Sequence, residues 1–420
     1  MKQISIPYGE GYQTATVPGD ISVCIVDPSP QAVDKPITEM IRESLKNPIG
    51  SPRLQDMVKS GDRVTILVND QTRPGPSKEI IEELVPLLNG AGVSDEQIIF
   101  VIATGSHRAP TEKELDTILG TCYHRRIAVR AHDCRDGDHV YMGETASGLP
   151  IWINRIVAES SFIIATGLIA PHHSAGFSGG RKSVVPGVAG METLRIHHSF
   201  PIRPFDPAMG FFEENPFHLA AQEAARVTNV RFIINSVQDA HKQDIDCVAG
   251  DMELAHKAGV DICRKACTVP VGRPADVVIT SPGGFPRDCN LYQSQKALST
   301  AELFGKQGCV FIMCAKAEDG IGGGDFKEWM TAAKNPEEII ERFRREGYNV
   351  GINKAFMYAR ALTKGRIIVV TDQVAETELN SMMMEWAPSL QTAIDKIYAE
   401  RRPRLMTVLP RASNIIPVRT

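Results

Sequence analysis

A chain of 420 residues exceeds the length over which one hydrophobic core keeps growing, so about two domains of roughly 150–270 residues are expected, with a cleft between them. Forty-six basic and 50 acidic side chains give a net charge of −4 with no block of like charge, and 43% apolar with 23% charged residues is a globular balance, which argues against nucleic-acid binding and against a disordered chain. Nine scattered cysteines without a Cys-x-x-Cys pair exclude a disulfide framework or a thiolate zinc site, and no apolar run reaches signal-peptide or membrane-span length, so a cytoplasmic protein with no membrane partner is expected.

Along the chain, short β-branched runs alternate with helical patterns. A first strand is expected at 63–69, where the apolar run stops at Asn69 and Asp70. In the loop 69–76, Asp70 can orient a hydroxyl or ribose and Arg73 can grip a carboxylate or phosphate through paired donors; a turn with a surface ion pair fits the same residues. A helix at 77–88 leads to a second strand at 97–104. The following loop, 104–110, places His107 at that strand's carboxyl end, where it is either an acid/base or a solvated side chain. A helix is expected at 111–119 and a third strand at 161–166.

The stretch after this third strand is the richest in the chain. It runs His172-His173-Ser174-Ala175-Gly176-Phe177-Ser178-Gly179-Gly180-Arg181-Lys182 and ends near His197-His198. Gly176, Gly179 and Gly180 allow backbone N–H groups to converge on a phosphate, although the spacing is neither that of a Walker loop nor that of a dinucleotide fingerprint; a tight turn is the plain alternative. Lys182 lies beside Arg181, whose charge favours a neutral, nucleophilic amine. One of His197 and His198 can serve a metal while the other is structural, because successive side chains point apart.

A strand at 230–235 precedes the Pro- and Gly-bearing segment 263–273, taken as the domain boundary. Strands are expected at 275–281, 308–314, 366–371 and 405–410. Between the first two of these, Gln293 and Lys296 share one face of a helix and can reach a carboxylate together; a solvated face is the alternative. The fold class is α/β, with two α/β domains, mainly parallel sheets and an interdomain active-site cleft. Residues 1–270 are expected to carry the loops and 272–395 to close over them, with 400–420 free to return to the first domain.

Asp70-x-Thr72-Arg73-Pro74, Thr104-Gly105-x-His107-Arg108, His172 to Lys182 with Pro186-Gly187, His198, and Tyr292-Gln293-x-x-Lys296 together resemble the nickel-dependent lactate racemase family. That resemblance spans essentially the whole chain. It implies nickel and pyridinium-3,5-bisthiocarboxylic acid mononucleotide as cofactors, the latter joined covalently to Lys182, with His198 as the metal ligand. It implies His107 and His172 as catalytic acid/base groups, and Asp70, Thr72, Arg73 and Gly176, Gly179 and Gly180 near the cofactor. Arg73, Tyr292, Gln293 and Lys296 become substrate contacts, and an aromatic residue near the cofactor is sought around Phe356-Met357-Tyr358.

The implied reaction is racemisation or epimerisation of a small 2-hydroxy acid, such as lactate, another short acid, a malate-like diacid or a sugar acid. Hydride leaves C2 as one histidine takes the hydroxyl proton, and both return on the opposite face. A second cation near the site, such as Arg181 or Arg108, would either favour a diacid or touch the cofactor's phosphate. Two other readings keep the same residues: a metal-dependent lyase or dehydratase, and a non-catalytic binder of a phosphorylated ligand.

Overall fold

The computed structural model describes residues 2–419. Its first sheet has six strands in the order Asp244–Gly250, Val230–Gln238, Phe162–Ile169, Val64–Asn69, Ile98–Ala103 and Ala128–Ala131, all parallel except the first, which runs antiparallel to its neighbour. The central strands read as unbroken apolar runs because helices cover both faces; Phe162–Ile169 is buried throughout. Helix Ser77–Gly90 lays Ile80, Ile81, Leu84 and Leu88 on one such face, against Ile66 and Val68.

The second sheet is wholly parallel, in the order Glu385–Ala387, Gly365–Val370, Gly305–Cys314, Ala275–Thr280, Leu405–Leu409 and Ser22–Ile25. All eight expected strands are therefore present. Two run further than their apolar signal, to Ile169 and Gln238. Gly167 marks the loop entrance in sequence, yet it lies inside a strand, where a Cβ would stand 3.2 Å from the Asn69 amide.

The ends of the chain depart from the expected division. The hairpin Lys2–Tyr8 with Gly11–Val17 packs Ile4, Ile6 and Val17 against Val277, Ile279 and Val408, and Ser22–Ile25 is the edge strand beside Leu405–Leu409. Residues 2–25, expected in the first domain, thus build the second sheet's layer. The strand at 405–409, which was free to join either sheet, lies inside the second. Short alternating segments bury one face only and give a weak signal beside the long apolar runs. The two halves also share a core, since Ile169, Phe177 and Val260 are in one apolar cluster with Val278, Leu298 and Phe311. Among the described residues no helix is long and apolar enough to cross a membrane, and every cysteine is unpaired.

Candidate active site

Phe162–Ile169, Val64–Asn69 and Ile98–Ala103 are adjacent and parallel, so their carboxyl ends deliver three loops to one place. There they line a cleft whose opposite wall comes from helices Leu291–Ala301 and Ile352–Lys364 of the second unit. Asp70, Arg73, His107, His172, Gly179, Lys182, His198, Tyr292, Gln293 and Lys296 all face it.

Asp70 is 3% exposed, and its Oδ2 lies 2.6 Å from Nδ1 of His107. A carboxylate only accepts, so Nδ1 carries the proton and Nε2 is left with its lone pair. The other oxygen accepts from the Thr72 amide and hydroxyl, at 3.0 and 2.7 Å. Burial pushes the Asp70 carboxyl up, but the His107 hydrogen bond, the charge of that ring when it is protonated and the charge of Arg73 outweigh it and hold the group below its ordinary value. Asp70 and Thr72 were expected at the cofactor. Both are tied to the His107 ring, Thr72 through Asp70, and Asp70 also lines the cleft.

His172 is set the opposite way. Its Nδ1 accepts the backbone N–H groups of Ser174 and Ala175, at 3.2 and 3.1 Å, so the neutral ring carries its proton on Nε2. Burial, then Lys182, His173 and Arg73, depress its protonation strongly. In the resting state His107 presents a lone pair and His172 an N–H.

The two histidines near 198 are placed differently. His197 is fully buried and donates from Nε2 to the Phe217 carbonyl at 2.8 Å. His198 faces the cleft and donates from Nδ1 to the Leu194 carbonyl, 3.3 Å away, which leaves the Nε2 lone pair for a metal. No group of three or more His, Cys, Asp or Glu residues placed to hold a metal occurs among the described residues.

The glycine loop departs from the phosphate-cradle expectation. Of Gly176, Gly179 and Gly180 only Gly179 faces the cleft. The Gly180 N–H donates to Asn235 Oδ1 at 2.8 Å, and a Cβ on Gly176 would meet the Phe211 carbonyl oxygen at 2.1 Å. Close packing explains these glycines. Arg181 is buried and donates to the carbonyls of Ala175, Phe177, Ser178 and Gly179, so it fixes the loop and is no free cation. Lys182 is left facing the cleft with its amine 5.7 Å above the Phe217 ring, and burial, then Arg181 and Arg73, pull its protonation well below the usual lysine range. Arg108 is held by Glu114.

On the facing wall, the Asn290 side chain caps helix Leu291–Ala301 by accepting the Gln293 N–H at 2.9 Å, and Lys296 donates to Gln293 Oε1 at 3.1 Å. The aromatic sought at 356–358 is not there: Phe356 and Tyr358 are fully buried in the second unit's core. Tyr348 stands in the cleft instead, its ring 4.8 Å from that of His198 and its hydroxyl donating to Ser106 Oγ at 3.4 Å. Arg203, Asn353 and Lys354 also face the cleft and escaped the sequence reading, since isolated polar residues within helical or irregular stretches carry no pattern. Arg203 Nε and Asn353 Oδ1 are buried without partners. Asp70 is the only acid among the described residues lining the cleft, against Arg73, Lys182, Arg203, Lys296 and Lys354, so the site calls for anionic occupants.

The family model described as lactate racemase N-terminal domain matches residues 8–207, and the lactate racemase C-terminal domain matches 271–416. The chain is 35% identical to a lactate racemase of Lactiplantibacillus plantarum over 384 residues, 90% of each chain. It is 32% identical to that of Thermoanaerobacterium thermosaccharolyticum over 402 residues, 94% of each. The apoprotein structure of the lactate racemase from the latter organism superposes with a TM-score of 0.91 at 31% identity, covering 99% of this chain and 100% of that one. A Thermotoga maritima protein shares the fold, with a TM-score of 0.67 at 16% identity over 94% of this chain and 100% of that one. With both halves matched and the three loop-bearing strands and capped helix converging on one cleft, this chain belongs to the lactate racemase family.

Proposed function

We propose that the protein is an isomerase that inverts C2 of a small 2-hydroxy acid, with lactate the first substrate to test, using a nickel-pincer nucleotide. The observation that carries this reading is the pair of oppositely set histidines in one cation-rich cleft: His107 with its lone pair free over Asp70, and His172 with its N–H free.

The residues fit the cofactor. Lys182 offers a half-buried amine with no ionic partner among the described residues, which suits covalent attachment, and His198 offers a lone Nε2 to a metal whose other donors would come from the nucleotide. When bound, the group supplies a centre that takes hydride from C2 and gives it back.

The chain's own residues do the rest. Arg73 and the Gln293–Lys296 face hold the carboxylate, so C2 stays fixed while its substituents exchange. His107 accepts the hydroxyl proton at Nε2, and Asp70 steadies the imidazolium that forms. His172 donates its N–H to the oxygen. To act as a base in turn, it must move its proton to Nδ1 and release the Ser174 and Ala175 amides.

Cofactor-loaded protein given one enantiomer of C2-deuterated lactate in light water tests the reading. Racemic product that keeps its deuterium, formed with a primary isotope effect, is expected. Loss of most of the label would point to proton abstraction at carbon and overturn the hydride route.

A further inference from the structure

A second chamber opens beside the cleft and shares Arg73, His172, Gln293 and Lys296 with it. We propose that this chamber is an anion subsite, built by Arg287, Lys242 and Ser413, that holds a carboxylate or phosphate at the far end of the substrate. The proposal rests on the 2-hydroxy-acid reading and narrows its substrate to acids that carry a second anionic group.

No Asp or Glu lines the chamber among the described residues. Among the described residues the Arg287 side chain donates only to the neutral Oδ1 of Asn414. Lys242 makes no side-chain hydrogen bond or ion pair among the described residues, and burial, then Arg287, brings its ammonium down to about 8, although Asp288 opposes this. The Ser413 hydroxyl is buried with no partner. Half-buried cations and a buried hydroxyl left without partners are costly unless a ligand completes them.

The arrangement is also held in place. Asn414 is 3% exposed; while accepting from Arg287 it donates from Nδ2 to the Ala240 carbonyl, at 2.8 Å, in the turn that carries Lys242. Arg287 follows a strand of the second sheet and Lys242 a strand of the first, so an anion here would join the two halves. The chamber's lining also includes Leu168, Pro171, Met209 and Pro286, apolar surface that suits the methylenes of a short chain linking two charged ends.

Cofactor-loaded wild type and the Arg287→Met and Ser413→Ala variants, first matched by melting curve, would be assayed with lactate and with 2-hydroxyglutarate. In the wild type kcat/KM should favour 2-hydroxyglutarate by about tenfold or more, and Arg287→Met should lose about tenfold on that substrate, chiefly in KM, with lactate changed by less than about twofold. Ser413→Ala, the gentler change should the arginine variant fold poorly, should move the same way by a smaller factor. Equal losses on both substrates, together with less covalently bound cofactor by intact mass, would assign these cations to the cofactor's phosphate and overturn the proposal. So would a wild-type preference for lactate that neither variant alters. If no 2-hydroxy acid is turned over, the racemase reading fails, and calorimetric titration with glutarate judges the subsite alone: binding that weakens in Arg287→Met supports it, and equal heats overturn it.

Discussion

Asp70 divides its oxygens between the Thr72 turn and the His107 ring, so it determines which nitrogen of His107 faces the cleft. Asp70→Asn keeps the shape but lets the amide hold the ring in the other tautomer, with Nε2 protonated. Steady-state kinetics should show turnover lower by about 10²-fold or more with KM changed little, as expected when a general base loses its orienting carboxylate. A loss under about threefold would remove Asp70 from that role. Both residues are visible in sequence as loop residues after strands. Their contact is not, because they lie on separate loops and meet only once the two strands are known to be neighbours. The charge neighbour Arg181 of Lys182 was legible in sequence, but burial, the larger cause of its depressed protonation, belongs to the tertiary structure. Lys182→Ala should abolish covalent cofactor retention, and intact mass checks it: a variant that still carries the adduct would move the attachment elsewhere.

The helix Leu291–Ala301 brings Tyr292, Gln293 and Lys296 to the cleft from its first turns, and Asn290 defines where those turns begin. Asn290→Ala removes the cap and should cost about 1 kcal/mol of stability. Fraying at that end should raise the substrate KM several-fold with a smaller effect on kcat, because the carboxylate grip is loosened while the histidines keep their places. A KM unchanged in a variant shown by chemical denaturation to be destabilised would mean that the grip does not depend on the cap. At this scale sequence reading did well wherever an element is apolar throughout, as in Phe162–Ile169, and poorly where one thin face is buried, as in the hairpin Lys2–Tyr8 with Gly11–Val17. The glycine loop misled for a related reason. Dense glycine signals close backbone approach, and here the approaching groups are the Phe211 carbonyl and the His256 ring rather than a phosphate.

Across the whole molecule, two α/β units share one apolar core, and a cleft between them gathers cations around a single acid. Concentrating like charge in this way opposes folding until anions arrive, and Lys354 gives the clearest measure of it. It is 4% exposed, its one hydrogen bond is to the neutral Gln295 Oε1 at 3.4 Å, and burial, then Arg203 and Arg73, lowers it from 10.5 to about 7. Below about pH 7 the lysine is protonated in both folded and unfolded chains, so the folded state carries the full cost of the buried charge. Between about 7 and 10.5 the unfolded chain keeps a proton that the folded one has released, so stability rises with pH across that window. Above it neither state is charged and the cost is gone. Lys354→Met in cofactor-free protein should therefore melt higher than wild type at pH 6, by about 2 °C or more, with the gap closing as the pH approaches 10. Scanning calorimetry across that range decides the matter: a gap that widens with pH, or a methionine variant less stable at pH 6, would show that Lys354 is held by compensating charge and that the cleft carries no such surplus.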